Sequence, residues 1–371
     1  MAVFDSPVIA AGPAQGPTKA PVSSPASEQS VPVGTDRAQW LAQAATQALL
    51  AEVDLTPKPG LVDRRGSGAH CDMNHALMQR SAHALTPGFM AMADAVYAHR
   101  PGLASDVSSW STTAMGVRAA LGAVGRQAEA AMMQATAGIN THRGAIWAMG
   151  LIVASAAAQP LSRWRAPALL AGVAALAAID DPALGLIACK QPDAENSPSN
   201  GQRMVARFQV AGARREAMNG FVQIVDQGLP QLQASRAAGA SETQARLDAL
   251  LAIMAVLDDT CLLNRAGRYG LTLAQAGARR VLDRGGTAHT AGWAALATLD
   301  HDMQAINASP GGSADLLAAT LLIDHLQAQA TSGHTRDTER RRAGRAGHRL
   351  LTIYPAPQAH SWERTDADAI A

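Results

Sequence analysis

Long alanine- and leucine-rich stretches with helical spacing constrain the fold of this chain more than any other feature. One of them, RAQWLAQAATQALLAE, follows Asp36, which can cap a helix, and its apolar residues recur at three- and four-residue intervals. These residues are Trp40, Leu41, Ala44, Ala48 and Leu49. Similar stretches continue to SADLLAATLLIDHLQAQA, and no run of alternating β-branched residues indicates a sheet. The pattern predicts an all-α chain, a single compact multi-helix domain with flexible N- and C-terminal tails.

Composition and charge argue against several classes of protein. Hydrophobic residues make up 48% of the 371 residues and charged residues only 16%, which supports a sizeable core. A formal net charge of +1 gives no bulk attraction for nucleic acid or for a membrane surface, so neither is an expected partner. The longest apolar stretches, 145–158 and 168–179, are shorter than the roughly 20 residues that a membrane span needs. The three distant cysteines, Cys71, Cys189 and Cys261, indicate neither a disulfide framework nor a structural zinc site, so we expect a reducing, cytoplasmic location.

The chain changes character at both ends. Residues 1–35 are rich in Pro, Ala, Ser and Gly and lack the features of a secretion signal, so we expect a disordered leader. Residues 36–330 carry the helical pattern and form the predicted all-helical domain. Residues 331–371 are polar and begin with a basic stretch, so we expect a flexible, solvated tail, with a weak contact to an anionic partner as the alternative. Apolar helices leave room for a homodimer, although no interface can be named.

Polar, non-helical residues collect in a few joints between the predicted helices, and the first joint is LTPKPGLVDRRGSGAHCDM, residues 55–73. Its two prolines stiffen the chain on either side of a lysine. Hard cations favour carboxylate oxygens, and basic side chains suit phosphate. The joint and the helix end before it supply both kinds of group: Glu52, Lys58, Asp63, His70 and Asp72. The alternative is a surface turn in which the aspartates only satisfy backbone donors.

Two further joints have the character of anion-binding helix starts. In GINTHRGAIW, either Asn140 or Thr141 can cap a helix whose first turn would hold His142 and Arg143. In SPGGSADLLAATLL, two glycines, Gly311 and Gly312, lead into a helix that Ser313 can cap. Glycines allow a ligand to approach the backbone closely, although the Walker pattern is absent. The alternative in both places is an ordinary helix start.

Paired carboxylates, Asp258 and Asp259, end an apolar helix in LDDTCLLNRAG, and Arg265 follows one to two turns later. Adjacent carboxylates at the edge of a core repel each other unless a cation or a base lies near. A metal-ligating role and a structural role remain open for this pair. Another joint, GARREAMNGF, is basic but weak on its own. Together the joints supply the groups that suit a metal-bound polyphosphate.

The joints also occur in the order found in triphosphoribosyl-dephospho-CoA synthases, which this chain resembles over about residues 40–328. The resemblance rests on EVDLTPKPGLVDRRGSGAHCDM, GINTHRGAIWAMGLI, GARREAMNGF, DDTCLLNRAG and SPGGSADLLA. The chain departs from the family pattern at two positions. Arg143 stands where the family usually has lysine, which keeps the charge. Ala266 stands where the family usually has glycine, which bears on how closely a ligand can approach the backbone there.

The resemblance implies a transferase that takes ATP and 3′-dephospho-CoA as substrates. Such an enzyme joins the triphosphoribosyl group of ATP to the 2′-hydroxyl of dephospho-CoA and releases adenine. The product is the prosthetic-group precursor for the acyl carrier subunit of malonate decarboxylase or citrate lyase, and a separate transferase attaches it. The DDTCLL form and the run beginning at His75 favour the malonate branch.

This chemistry gives each group of residues an expected role. Breaking the bond between ribose C1 and adenine builds positive charge on the sugar, adenine leaves better when protonated, and the acceptor hydroxyl needs a base. We expect phosphate contacts from Lys58, Arg143 and Arg265, with donors from Gly311, Gly312 and Ser313. Mg²⁺ is expected with ATP, and its ligands are sought among Glu52, Asp258 and Asp259. Asp63 and Asp72 are expected to face the sugar or the metal, and His70 or His142 to carry the proton.

Two other functions fit parts of the pattern. The first is a helical Mg²⁺-dependent phosphohydrolase or diphosphate enzyme, because DDTCL is similar to an aspartate-rich diphosphate motif. It lacks the DDxxD spacing and a second copy. The second is a non-catalytic nucleotide-binding helical protein, which would bind without turnover. Paired carboxylates at helix ends disfavour a pure scaffold.

Overall fold

Helices make up the regular structure throughout the described part of the chain. The computed structural model describes residues 35–99, 112–183 and 199–351, with side chains described only up to residue 331. The predicted leader, apart from Thr35, lies outside these residues, as do Cys189 and residues 352–371. Within them there is no β-strand, only an isolated bridge between Asp63 and Gly66. The predicted all-α fold is therefore confirmed for the described residues.

The described helices all belong to one compact unit. In chain order they are α1 Thr35–Val53, α2 His75–Ala84, α3 Thr86–Ala98, α4 Thr112–Ala135, α5 Arg143–Ala158, α6 Ala166–Ala178, α7 Asn200–Phe208, α8 Gly212–Met218, α9 Leu229–Ala237, α10 Glu242–Met254, α11 Thr260–Asp283, α12 Thr290–Ala305 and α13 Gly311–Leu351. A 3₁₀ turn, Leu161–Arg163, precedes α6, and a π-helical turn, Ile224–Gly228, precedes α9. None of the described helices is long and apolar enough to cross a membrane.

Helix α5 is the central helix around which the others pack. From Ala145 to Ala157 it is buried almost all round, because its sequence is alanine-rich and carries no charged residue after its first position. It contacts α1, α3, α4, α6, α8 and α13. A helix buried on every side needs its polar ends satisfied by its neighbours, and its first turn is where polar groups from several elements meet.

Several predicted helix starts can be compared with the observed ones. The capping box of Ser241 and Gln244 is confirmed at the start of α10. The predicted caps of α5 and α13 are wrong in detail. The N-cap of α5 is His142, although Asn140 still accepts a hydrogen bond from the Arg143 N–H at 3.3 Å. Helix α13 already begins at Gly311, so Ser313 lies inside its first turn rather than capping it.

The chain between α1 and α2 is held in shape by one buried carboxylate. Asp63 accepts a hydrogen bond from the Lys58 N–H at 2.9 Å, and its two oxygens are also bonded by the Arg65 side chain. The Arg65 side chain also donates a hydrogen bond to Asp300 of α12 at 2.8 Å, and the Gly60 N–H donates to the Asp300 carboxylate at 3.0 Å. This network fixes the loop against α12 and directs the lysine side chain into the core.

Helix α13 runs past residue 330, where the sequence pattern separates a tail, and continues to Leu351. Within the residues whose side chains the structure describes, this helix packs on the core as far as Ala330. The proposed boundaries between leader, domain and tail stay predictions.

Candidate active site

The N-termini of three helices meet at one pocket, which we call the central pocket. Its walls include Gly144 in the first turn of α5, Thr260 at the start of α11 and Gly312 in the first turn of α13. The pocket is also lined by one tryptophan and four carboxylates: Trp147, Glu216, Asp258, Asp259 and Asp315. Helix N-termini favour an anion, and here the carboxylates of Asp259 and Asp315 already accept hydrogen bonds from first-turn N–H groups of all three helices. The predicted joints of α5, α8, α11 and α13 therefore do come together.

Asp259 is buried and links the first turns of two of these helices. One of its oxygens accepts hydrogen bonds from the Cys261 N–H at 2.8 Å and the Leu262 N–H at 3.3 Å, which caps α11. The other accepts from the Ser313 N–H at 2.8 Å and the Ser313 hydroxyl at 3.0 Å. Burial raises the pKa of Asp259, and these bonds oppose the rise. The predicted metal ligand Asp259 and the predicted phosphate donor Ser313 are thus bonded to each other in this structure.

Asp315 is a pocket carboxylate that the sequence analysis misses. It lies three residues after Gly312, on the same face of α13, and it accepts a hydrogen bond from the Ala145 N–H in the first turn of α5. Withdrawal from water, followed by the charges of Glu52 and Asp259, raises the pKa of Asp315 well above its usual range. The i, i+3 spacing from Gly312 was the signal that could have found it.

Gly144 is required by the position of Asp315. A Cβ atom at Gly144 would lie 2.0 Å from Oδ2 of Asp315, far inside contact distance. The sequence NTHRGAI therefore needs a glycine at this point, because the carboxylate of α13 approaches the first turn of α5 directly.

A buried ion pair lies behind the pocket carboxylates. The Lys58 ammonium donates to Oε1 of Glu52 at 2.6 Å and to the Glu52 carbonyl at 2.8 Å, and the two side chains are only 2% and 3% exposed. The predicted phosphate contact of Lys58 and the predicted metal contact of Glu52 are in this structure replaced by contact with each other. Their roles toward a ligand stay predictions.

His142 is the most strongly perturbed imidazole of the described residues. Burial, with a smaller contribution from the Lys58 charge, lowers the pKa of His142 to about 3, so the ring is neutral at physiological pH. Its Nδ1 pairs with the Ser81 hydroxyl at 2.7 Å, while Nε2 is buried without a hydrogen-bond partner among the described side chains and backbone. A pKa of about 3 makes the neutral ring a weak base near pH 7, and the side chain does not line the central pocket, so its role as proton carrier stays a prediction.

The outer wall of the central pocket carries two more carboxylates. Asp258 is exposed, and Glu216 of α8 lies across the pocket from it. Burial and the Asp258 charge raise the pKa of Glu216, while a hydrogen bond from Gln223 opposes the rise. Crowded carboxylates raise each other's proton affinity when no cation lies between them. Asp258 and Glu216 therefore lie close enough to interact, and the metal contact of Asp258 stays a prediction.

His70 and Arg265 form a second polar group that joins the first loop to the start of α13. His70 Nε2 pairs with the Ser309 hydroxyl at 2.8 Å, and Asp72 lies 3.6 Å from Nδ1. Arg265 donates to the Asn307 carbonyl at 2.8 Å and to the Ala69 carbonyl. Burial and the Arg265 charge lower the pKa of His70. None of these side chains lines the central pocket, so their predicted roles rest on the sequence pattern alone.

Arg143 and Asp63 are likewise away from the central pocket. The Arg143 side chain pairs with Glu129 of α4 and lines a different cavity, of about 240 Å³, between α3, α4 and α5. We call it the side cavity; its polar lining consists of Arg118, Arg126, Glu129, Arg143, Trp147 and Asp181. The Asp63 side chain is fully engaged in the loop network described above.

A preassembled metal centre is not present among the described residues, since no group of three or more His, Cys, Asp or Glu side chains is arranged to hold an ion. Mg²⁺ commonly binds through one or two carboxylates together with substrate phosphates, and such a site needs no complete protein cage. The oxygens of Asp258 and Glu216 in the central pocket fit that kind of site.

Comparison with known proteins gives a consistent result. Residues 38–333 match the CitG family, described as ATP:dephospho-CoA triphosphoribosyl transferase. The chain is 52% identical over 295 residues to a probable 2-(5''-triphosphoribosyl)-3'-dephosphocoenzyme-A synthase of Stutzerimonas stutzeri, which covers 80% of this chain and 94% of the relative. It is 51% identical over 291 residues to the 2-(5''-triphosphoribosyl)-3'-dephosphocoenzyme-A synthase of Klebsiella pneumoniae, covering 78% of this chain and 95% of the relative. No solved structure matches.

Proposed function

The chain belongs to the CitG family of ATP:dephospho-CoA triphosphoribosyl transferases and is an enzyme of that class, and from this premise we propose how its central pocket works. The reaction joins the triphosphoribosyl group of ATP to dephospho-CoA. We place the triphosphoribosyl group in the central pocket, with attack by the 2′-hydroxyl of dephospho-CoA and release of adenine.

The convergence of three helix N-termini on the central pocket is the observation that carries this proposal. The first turns of α5, α11 and α13 line the same space, with Gly144 and Gly312 among its walls. Because Asp259 and Asp315 already accept hydrogen bonds from these first turns, the negative charge of a triphosphate would be offset there by Mg²⁺ and by the remaining first-turn N–H groups. Because the triphosphate is transferred intact, its binding energy is available to position ribose C1 rather than to activate a phosphate.

Mg²⁺ fits the outer wall of this pocket, although the ion itself is part of the proposal. Asp258 and Glu216 would hold it, and their proximity raises the proton affinity of Glu216 in its absence. When bound, the ion neutralises part of the phosphate charge. Of the three metal ligands predicted from the sequence, this assignment keeps only Asp258 and adds Glu216. Glu52 and Asp259 are left out because their carboxylates are already bonded to Lys58 and Ser313.

The reaction needs a proton donor for adenine and an acceptor for the proton of the attacking hydroxyl. The bond between C1 and the adenine nitrogen breaks with its electron pair going to adenine, which takes up a proton. The acceptor hydroxyl loses a proton as its oxygen bonds to C1, so one proton leaves and one is gained. Asp315 lines the pocket and retains its proton more readily than an ordinary carboxyl, which suits the donor to adenine. The acceptor hydroxyl would give its proton to water, because a pKa of about 3 makes the His142 ring a weak base.

The malonate decarboxylase branch is the pathway we favour over citrate lyase, on the DDTCLL segment and the run beginning at His75. The product would then pass to a separate transferase that loads the acyl carrier protein. We also propose that the protein is cytoplasmic and forms a homodimer. Neighbouring genes for malonate decarboxylase subunits or for citrate lyase subunits would discriminate between the branches, because both use the same product.

The proposed reaction is tested by incubating the purified protein with ATP, Mg²⁺ and dephospho-CoA. Free adenine and a triphosphoribosyl adduct of dephospho-CoA should appear in equal amounts by liquid chromatography and mass spectrometry. Asp315→Asn should abolish adenine release while retaining the fold, because the amide cannot supply the proton. Release of phosphate, diphosphate or ADP by the wild-type protein would instead indicate the phosphohydrolase alternative. ATP binding without turnover would indicate a non-catalytic nucleotide-binding protein.

A further inference from the structure

The side cavity presents arginines above an apolar floor. Helix α4 contributes Arg118 and Arg126, and α5 contributes Arg143 from its first turn. Apolar side chains of α3, α4 and α5 form the floor: Met92, Leu121, Ile146 and Leu151. A cavity with this lining fits a ligand that is anionic at one end and apolar at the other.

The arginines of the side cavity outnumber the carboxylates that face them. Asp181 lies 2.7 Å from Arg126 and 3.7 Å from Arg118, and Glu129 pairs with Arg143. Three guanidinium groups therefore share two carboxylates, which leaves one positive charge in excess. Arg126 is 39% exposed at its side chain and so remains accessible to a ligand.

Trp147 connects the side cavity with the central pocket. It lines both, one turn after Gly144 on α5. The Arg118 guanidinium lies 5.4 Å above its ring, and its indole N–H donates to the Ala213 carbonyl at 3.2 Å, which fixes the ring between the two spaces. The two spaces therefore adjoin at Trp147, and a ligand with its reacting end in the central pocket would have to pass the indole to reach the side cavity.

We infer that the side cavity binds the diphosphate and the pantetheine arm of dephospho-CoA, the second substrate. This inference rests on the proposed function and assigns a place to the acceptor. The diphosphate suits Arg126 and its arginine neighbours, and the branched aliphatic part of the arm suits the apolar floor. The triphosphate of ATP has no apolar part that would use the apolar floor of the side cavity. The two substrates then occupy adjoining spaces with the acceptor hydroxyl near Trp147.

Gly125 provides a direct way to fill the side cavity. It lies on the cavity-facing side of α4, and a Cβ atom placed there would have no neighbouring atom within 4 Å. The Cβ atom of a larger side chain is therefore unobstructed, and we expect the rest of that side chain to enter the cavity. Since Gly125 has helical geometry, replacing it also removes a residue that disfavours helices.

The test compares Gly125→Leu with Gln127→Leu, which adds the same side chain at an exposed position of the same helix. We expect Gly125→Leu to raise the KM for dephospho-CoA by about tenfold or more, with the KM for ATP unchanged, because the leucine occupies the space of the arm. Arg126→Met should raise the same KM through loss of the diphosphate contact. Gln127→Leu should leave both values at wild type. Thermal unfolding followed by circular dichroism shows whether each variant is folded.

Binding without turnover separates this inference from the proposed reaction. Isothermal titration of dephospho-CoA into Gly125→Leu should show the same loss of affinity relative to wild type. A raised KM for ATP alone, or no change in either KM, would overturn the inference even if the wild-type protein releases adenine. Failure of the wild-type protein to release adenine while the variant still loses dephospho-CoA binding would overturn the proposed reaction and leave the cavity assignment standing.

Discussion

Replacing Glu52 with glutamine tests how the buried ion pair behind the central pocket supports the fold. The variant removes one charge and leaves the Lys58 ammonium buried, since that side chain is 2% exposed and its remaining partner is the Glu52 carbonyl. An uncompensated charge in such a site costs about 3–5 kcal/mol of unfolding free energy. That is a large part of the total stability of an ordinary domain, about 5–15 kcal/mol.

The assay is urea unfolding of wild type, Glu52→Gln and the double variant Glu52→Leu/Lys58→Met. The single variant should lower the urea concentration at half-unfolding by an amount equivalent to a loss of about 3–5 kcal/mol. The dependence of the unfolding free energy on urea concentration should stay unchanged. The double variant should regain most of the stability, because replacing both members of a buried pair by apolar residues is often neutral. Asp180→Asn, which breaks an exposed pair with Arg214, is the control and should cost less than about 1 kcal/mol. A loss below about 1 kcal/mol for Glu52→Gln would refute the account of a dry, paired site.

Three further substitutions test the polar groups around the first turns of α5, α11 and α13. Gly144→Ala should abolish adenine release, because its Cβ would lie 2.0 Å from the Asp315 carboxylate, while circular dichroism shows a helical protein; normal turnover would contradict the assigned place of Asp315. Asp259→Ala should lower the unfolding free energy by about 2 kcal/mol through loss of the α11 cap and of the link to Ser313, measured by urea unfolding. The neutral His142 ring stabilises the folded state fully above the unfolded pKa of about 6.5, and this stability is lost as pH falls toward the folded pKa of about 3. Between pH 7.5 and pH 5, the unfolding free energy of His142→Gln should therefore fall by about 2 kcal/mol less than that of wild type, as measured by urea unfolding at each pH. Equal falls in the two proteins would show that the ring is not held neutral.

The helices were the predictable part of this protein because their signal is local. Spacing of three and four residues in a run such as α1 depends on neighbours along the chain, and the capping box at Ser241 is a four-residue signal. The joints could be identified as candidates from residue type, but their convergence could not, because Asp and Gly are also ordinary helix-capping residues and Asp259 is one. The first residue of α13 was harder to predict, because glycines at a helix start give little indication of where the first turn begins.

The direction of each side chain could not be predicted, since it depends on packing between helices distant in sequence. Arg143 and Gly144 are adjacent, yet one lines the side cavity and the other the central pocket, because successive helix residues differ by about 100° in direction. Asp315 lies within an otherwise apolar run and gains its role only through the approach of α5. Asp63 has the residue type of a catalytic group, but Arg65 and the backbone of its own loop occupy it.

The central claim is that the triphosphoribosyl group moves intact while adenine leaves, and the most direct measurement follows both parts of ATP at once. The substrate is ATP with a radioactive γ-phosphate and a separately labelled adenine ring, incubated with dephospho-CoA and Mg²⁺. The account predicts that the phosphate label appears in the dephospho-CoA adduct and the ring label in free adenine, in equal amounts. Phosphate label released as free phosphate, or ring label retained in ADP or AMP, would contradict it.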